Sequence, residues 1–144
     1  MSTQPAYEND NIFAKILRGE LPAHKIYEDD KALVFLDIFP RAPGHALVIP
    51  KAAARNIFDI TPDDLAHVHR ISKRIAHAAI KAFDADGITI LQANERAGGQ
   101  EVFHLHVHVI PRHTGEPLKA PASELEKPDV LAEKAQLLRA ALEQ

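Results

Sequence analysis

The sequence predicts an α+β domain: a five-stranded antiparallel sheet with two main helices packed against it and a further helix at the C-terminus. Three observations predict it. The apolar patterns run in the order helix, three short strands, long helix, two strands; the first three strands follow one another over brief connections; and residues 61–83 repeat at helical spacing. Brief connections favour antiparallel pairing, because parallel neighbours need a crossover of a dozen residues or more.

The first element is "NDNIFAKILRGELP". Asn9 or Asp10 is expected as N-cap, Ile12, Phe13, Ile16 and Leu17 form an apolar side, and Gly19 and Pro22 stop the helix. "HKIYED" (24–29) and "ALVFLD" (32–37) read as strands across an acidic turn, and "HALVIP" (45–50) follows the loop "IFPRAPG" as a third. The long helix has Thr61 as cap, Pro62 in its first turn and Asp63 and Asp64 at its positive end, with Leu65, Val68, Ile71, Ile75 and Ala79 on one face. "ITILQAN" (88–94) and "VFHLHVHVIP" (102–111) are the last two strands, joined by the glycine loop "ERAGGQE", and Pro111 is expected to end the sheet. Residues 129–144 read as a terminal helix with Leu131, Ala135, Leu138 and Leu142 on one side. The chain thus divides into a flexible lead-in (1–10), a domain (11–113) and a C-terminal extension carrying a helix (114–144).

A length of 144 residues and an apolar fraction of 46% suit one domain with a modest core, which dimerisation would help to complete. With 17 basic and 20 acidic residues the formal charge is -3, so neither nucleic acid nor an anionic membrane is an expected partner. The absence of cysteine excludes disulfides and thiolate metal sites. "MSTQPAYENDN" lacks the apolar run of a signal peptide, and no segment reaches membrane-spanning length, so the chain reads as soluble and cytoplasmic.

Chemistry concentrates in "GGQEVFHLHVHVIPRH" (98–113). Alternation along a strand puts His104, His106 and His108 on one open face and Leu105, Val107 and Val109 in the core. At about 3.3 Å per residue the outer two imidazoles stand roughly 13 Å apart, far beyond the reach of one ion with bonds of about 2.0–2.1 Å. Two of them with a ligand from elsewhere remain a zinc alternative. A neutral imidazole is a competent nucleophile at cellular pH, and flanking imidazoles can hold phosphoryl oxygens or pass a proton. Gly98 and Gly99 let backbone N–H groups approach an anion, with Gln100 and Asn94 as neutral donors.

"HLHVHVI" (104–110) resembles the signature of the histidine triad (HIT) superfamily. The resemblance extends through "NIFAKILRGELPAHKIYEDD", "FLDIFPRAPGHALVIPK" and "GGQEVFHLHVHVIPR", about residues 11–113, and points to the Hint-like branch in a bacterial-type form. It implies a HIT-like fold, a homodimer, and His106 as the nucleophile that attacks the α-phosphate of a nucleotide. His104 and His108 would orient it, contact phosphate oxygens and help the leaving group. His45 would support the triad, Asn94, Gly99 and Gln100 would bind phosphate, and Asp37 would bind the ribose hydroxyls. Ile12, Phe13, Ile16, Phe35 and Ile38 would surround the base. Two departures stand out: Glu101 lies where Hint-type enzymes commonly carry serine, and the N-terminal cysteine pair that holds zinc in some bacterial members is missing, so no resident metal is expected.

The activity implied is that of a purine nucleoside 5'-phosphoramidase acting on AMP or GMP conjugates, with no required cofactor. The alternatives are a dinucleoside polyphosphate hydrolase similar to the fragile histidine triad branch, for which a divalent cation is possible, a catalytically idle nucleotide-binding adaptor dimer, and a histidine zinc protein.

Overall fold

The computed structural model describes residues 4–144. Of the expected flexible lead-in, residues 1–3 lie outside that range. The elements run α1 (Ile12–Leu17), β1 (Lys25–Glu28), β2 (Ala32–Leu36), β3 (Ala46–Pro50), α2 (Pro62–Phe83), β4 (Gly87–Leu91), β5 (Val107–Arg112) and α3 (Pro128–Leu142). All five strands pair antiparallel in the order β1-β2-β3-β5-β4. The central strands β2 and β3 are apolar throughout because both faces of the sheet are covered.

One face carries the main core. Val34, Leu36, Val48, Val107 and Val109 meet Val68, Ile71 and Ile75 of α2 and Leu131 and Leu138 of α3. The extension is therefore built into the same core as residues 11–113. On the other face Leu33, Phe35, Leu47 and Ile49 pack under Phe13 of α1. Alternation in β5 then directs His108 to the α1 face, opposite Leu47 of β3 and Leu91 of β4.

Several boundaries differ from the sequence reading, each for a local reason. The N-cap of α1 is Asn11, neither Asn9 nor Asp10; its Oδ1 accepts the Ala14 N–H at 2.9 Å. The last strand begins at Val107 rather than at 102, because the Leu105 N–H donates to the Ala54 carbonyl instead of joining the ladder. Pro111 does not end it: β5 continues to Arg112, paired to β4, and its register with β3 has already ended at Val109, so the missing N–H falls on an unpaired side. β4 stops at Leu91 rather than 94, beyond which Asn94 Oδ1 accepts from Ile57 N–H at 2.8 Å and Gln92 Nε2 at 2.6 Å.

The turn into β3 requires Gly44. Its φ is 85°, and a Cβ there would run into the Phe83 ring at the end of α2. This close approach fixes the entry of His45.

Candidate active site

A cavity of about 550 Å³ opens between α1, the loop after β2, the glycine loop and the C-terminal extension. Ile12, Phe13, Ile16, Phe35 and Ile38 line it, as do Asp37, His45, Gly99, His106 and His108. His104, Asn94 and Gln100 do not, although the sequence reading had grouped them with the others.

The three triad histidines occupy three different environments. His104 is 1% exposed, and both its nitrogens are taken: Nε2 donates to the Pro50 carbonyl at 2.8 Å, so Nδ1 accepts from the Tyr7 hydroxyl at 2.7 Å. Burial holds its pKa down to about 4. The face expected to be open is thus closed at this end, and His104 has no ring nitrogen left for a phosphate. Its contribution to the neighbouring residue is its carbonyl.

That carbonyl accepts from His106 Nδ1 at 2.7 Å. A carbonyl only accepts, so His106 bears its proton on Nδ1 and its lone pair on Nε2. Phe13 and His108 stand edge-on to the His106 ring, with centroids at 4.9 and 4.8 Å, and only 9% of the residue is exposed. Burial lowers its pKa below the usual 6.5, which keeps the ring neutral and Nε2 unprotonated near pH 7.

His108 is set from the opposite side. The Arg41 backbone N–H donates to His45 Nδ1 at 3.0 Å, which leaves the His45 proton on Nε2, and Nε2 lies 2.8 Å from His108 Nδ1. His45 therefore donates and His108 Nδ1 accepts, so a neutral His108 carries its own proton on Nε2. Burial pushes the pKa of both His45 and His108 down to about 3, and neighbouring positive charge on Arg41 adds to it. The cavity thus receives a lone pair from His106 and an N–H from His108.

Asp37 Oδ1 accepts the Phe39 N–H at 2.9 Å, and burial, with a smaller push from Glu101, raises its carboxyl to about 6. In the glycine loop, Gly99 adopts a left-handed φ of 97° at the cavity wall, but the N–H groups of Gly98 and Gly99, expected to approach an anion, donate instead to the Glu95 and Arg96 carbonyls at 2.9 and 3.0 Å. Gln100 is 2% exposed and fully engaged: Nε2 donates to the Arg55 and Val102 carbonyls, and Oε1 accepts from Glu95 N–H and Asn56 Nδ2. Its amide braces the loop from behind. Asn94 ties the same loop to residues 56–60 through the Ile57 N–H.

Sequence reasoning missed two contributors, Tyr7 and Arg41. Tyr7 precedes the segments that carry the resemblance and Arg41, though inside one of them, has no role in the triad signature, and their contacts with His104 and with residue 119 span 97 and 78 residues.

Among the described residues, Asp37, His45 and His108 offer ligand atoms within 4.8 Å of one another. Tetrahedral zinc, with bonds of about 2.0–2.1 Å, separates two nitrogens by roughly 3.3 Å. The 2.8 Å between His45 Nε2 and His108 Nδ1 is a hydrogen bond, and an ion would have to break it and spread the rings. As arranged, the group is a hydrogen-bonded relay, and zinc on these three residues would replace the bond between His45 and His108.

Comparison with known proteins agrees with this geometry. Residues 18–115 match the HIT domain. The structure superposes with a TM-score of 0.92 on a Hit-like protein from Bartonella henselae described as involved in cell-cycle regulation, at 47% identity over 95% of this chain and 99% of that one. A zinc-bound histidine triad family protein from Mycobacterium smegmatis gives 0.84 at 41% identity over 94% of each chain. A relative named adenylylsulfatase HINT3, from Arabidopsis thaliana, is 41% identical over 105 residues, 73% of this chain and 53% of that protein. The chain belongs to the HIT family of nucleotide-binding hydrolases and transferases.

Proposed function

We propose that the protein is a purine nucleoside 5'-phosphoramidase in which His106 is the nucleophile. The observation that carries this reading is the bond from His106 Nδ1 to the His104 carbonyl, which commits the lone pair to Nε2 on a residue lining the cavity. Nε2 attacks the α-phosphorus, the P–N bond breaks, and the amine departs with a proton. That proton enters on the bridging nitrogen of the substrate, and His108, neutral with Nδ1 accepting from His45, donates its Nε2–H as a hydrogen bond to the reacting phosphoryl group. Water, losing its proton to the freed amine, then attacks the nucleotidyl-histidine and releases the nucleoside monophosphate with neutral His106.

The base lies among Ile12, Phe13, Ile16, Phe35 and Ile38, and Asp37 accepts from the two ribose hydroxyls. The phosphate lies against the backbone of Gly99, whose own N–H is spent on the Arg96 carbonyl, and takes the His108 Nε2–H, with Asn94 and Gln100 shaping the loop. This chemistry uses groups of the chain alone and requires no cofactor. A homodimer completes the assembly: β4 is an edge strand, and the exposed Ile90 on it and Ile80 on α2 favour a second copy there.

The test is kcat/KM for adenosine 5'-phosphoramidate, a diadenosine polyphosphate and adenylyl sulfate, in metal-free buffer and again with magnesium. The last substrate is included because of the name of the Arabidopsis relative. Preference for the phosphoramidate without metal is expected. Preference for the polyphosphate reassigns the protein to polyphosphate hydrolysis, preference for the sulfate to adenylylsulfatase activity, and binding without turnover to an adaptor role.

A further inference from the structure

The segment between β5 and α3 is tied to the loop that feeds the histidine relay. Lys119 N–H donates to the Arg41 carbonyl at 2.9 Å, and Arg41 Nε donates back to the Lys119 carbonyl at 2.7 Å. Farther on, Glu126 N–H donates to the Ile38 carbonyl at 2.9 Å. Between these anchors Pro121 and Ala122 form part of the cavity wall, with Ala122 held at φ 51°, a region that residues other than glycine seldom adopt. Residues 117–127 thus form a strap across the 38–41 loop.

Arg41 meets both systems. Its carbonyl and guanidinium dock on the strap, while its own N–H makes the bond to His45 Nδ1. Held there, the amide leaves His45 one way to be neutral, with its proton aimed at His108 Nδ1. If the loop drifts, His45 loses its fixed donor and both imidazoles become free to exchange tautomers. An inverted His108 would present a lone pair to the cavity in place of an N–H.

We propose that Arg41 is a positioning residue: docked on the strap, it keeps its amide on His45 and so keeps His108 in the tautomer that offers Nε2–H to the substrate. This rests on the reading of His108 as the residue whose Nε2–H meets the reacting phosphoryl group. The charged and titratable groups facing the relay are the Arg41 guanidinium, Asp37 with Oδ2 at 3.7 Å from His45 Nε2, and His106 beside His108; Glu101 acts on Asp37 and His106. Burial and the Arg41 charge both disfavour protonation of His45 and His108, so loss of that charge raises their proton affinity.

The full chain is compared with Arg41→Gln, Arg41→Lys and Lys119→Pro, each checked for its unfolding midpoint. Imidazole nitrogen shifts in the ligand-free protein report the tautomers of His45 and His108, and adenosine 5'-phosphoramidate reports turnover. Wild type is expected to show Nε2–H on both rings. Arg41→Gln should mix the His108 tautomers, lower kcat about tenfold or more with KM nearly unchanged, and move the acid limb of the pH profile upward. Arg41→Lys should restore the limb but not kcat, and Lys119→Pro should lower kcat without moving the limb. Wild-type tautomers and kcat in both Arg41→Gln and Lys119→Pro overturn the proposal. If wild type turns over no substrate, the phosphoramidase reading fails while the tautomer measurement still decides the role of Arg41.

Discussion

The hydroxyl of Tyr7 donates to Nδ1 of His104 at 2.7 Å, joining the start of the chain to the first residue of the triad. Asn11 Nδ2 donates in turn to the Tyr7 oxygen at 3.1 Å, so the residue that caps α1 also orders the tyrosine. The His104 ring is locked by this bond and by the one to Pro50, and its carbonyl is thereby fixed under His106.

Tyr7→Phe keeps the ring but strands a buried acceptor. The expected cost is about 1–3 kcal/mol of stability, read as a lower urea midpoint with an unchanged slope, together with a drop in kcat and little change in KM. Turnover and midpoint both equal to wild type would show that His104 is held without Tyr7.

His106→Ala removes the proposed nucleophile and leaves the base and ribose contacts in place. Binding of a nucleoside monophosphate, followed by calorimetry, should persist, while turnover falls by at least about 10³-fold. A reaction with an α-phosphorus-labelled substrate, quenched in alkaline denaturant because the histidine N–P bond is labile in acid, should yield labelled protein from wild type and none from the variant. Turnover retained by the variant would sink the nucleophile assignment.

Asp37 must be ionised to accept two hydroxyls, and its carboxyl is raised to about 6. Affinity for a nucleoside monophosphate should therefore weaken as pH falls through 6. Asp37→Asn should bind about tenfold more weakly at pH 7.5 and lose most of that pH dependence. Comparing the two proteins cancels the titration of the phosphate itself; parallel pH curves would exclude Asp37 as the ribose acceptor.

Acid should destabilise the fold, and the sign follows from proton counting. His45 and His108 are held to about 3, His104 to about 4, and His106 below 6.5, all chiefly by burial. Once unfolded they bind protons near 6.5, so their contribution is complete above that pH and is lost as pH falls toward 4, at up to about 1.4 kcal/mol per pH unit for each ring. Asp37 opposes this, because between 3.8 and about 6 the folded state holds its proton more tightly, but one group runs against four. Urea midpoints at pH 7, 6, 5 and 4.5 should fall steadily; a flat series would mean that the four rings are not buried neutral.

Much of the architecture was legible because it rests on local rules. Thr61 and Pro62 start α2 where their chemistry requires, and Val107 and Val109 of β5 lie in the core as strand alternation demands. The histidine motif was equally plain. What alternation could not reveal is that residues 102–106 leave the ladder, since the competing partner of the Leu105 N–H is the Ala54 carbonyl, 51 positions away in the chain. For the same reason Gln100 and His104 read as substrate-facing while their polar atoms are spent inside the protein.

The sequence by itself determined which side chains are available: three imidazoles at two-residue spacing, a fourth before β3, a glycine loop and enough periodic apolar surface to bury one side of a sheet. Tertiary structure decided what each imidazole does. A neutral ring has one proton and two nitrogens, and the donor or acceptor that reaches it chooses between them: the Pro50 carbonyl for His104, the His104 carbonyl for His106, and the Arg41 amide acting through His45 for His108. Two of these partners come from elsewhere in the chain, so three similar letters become a brace, a lone pair and a donor only once the fold has closed.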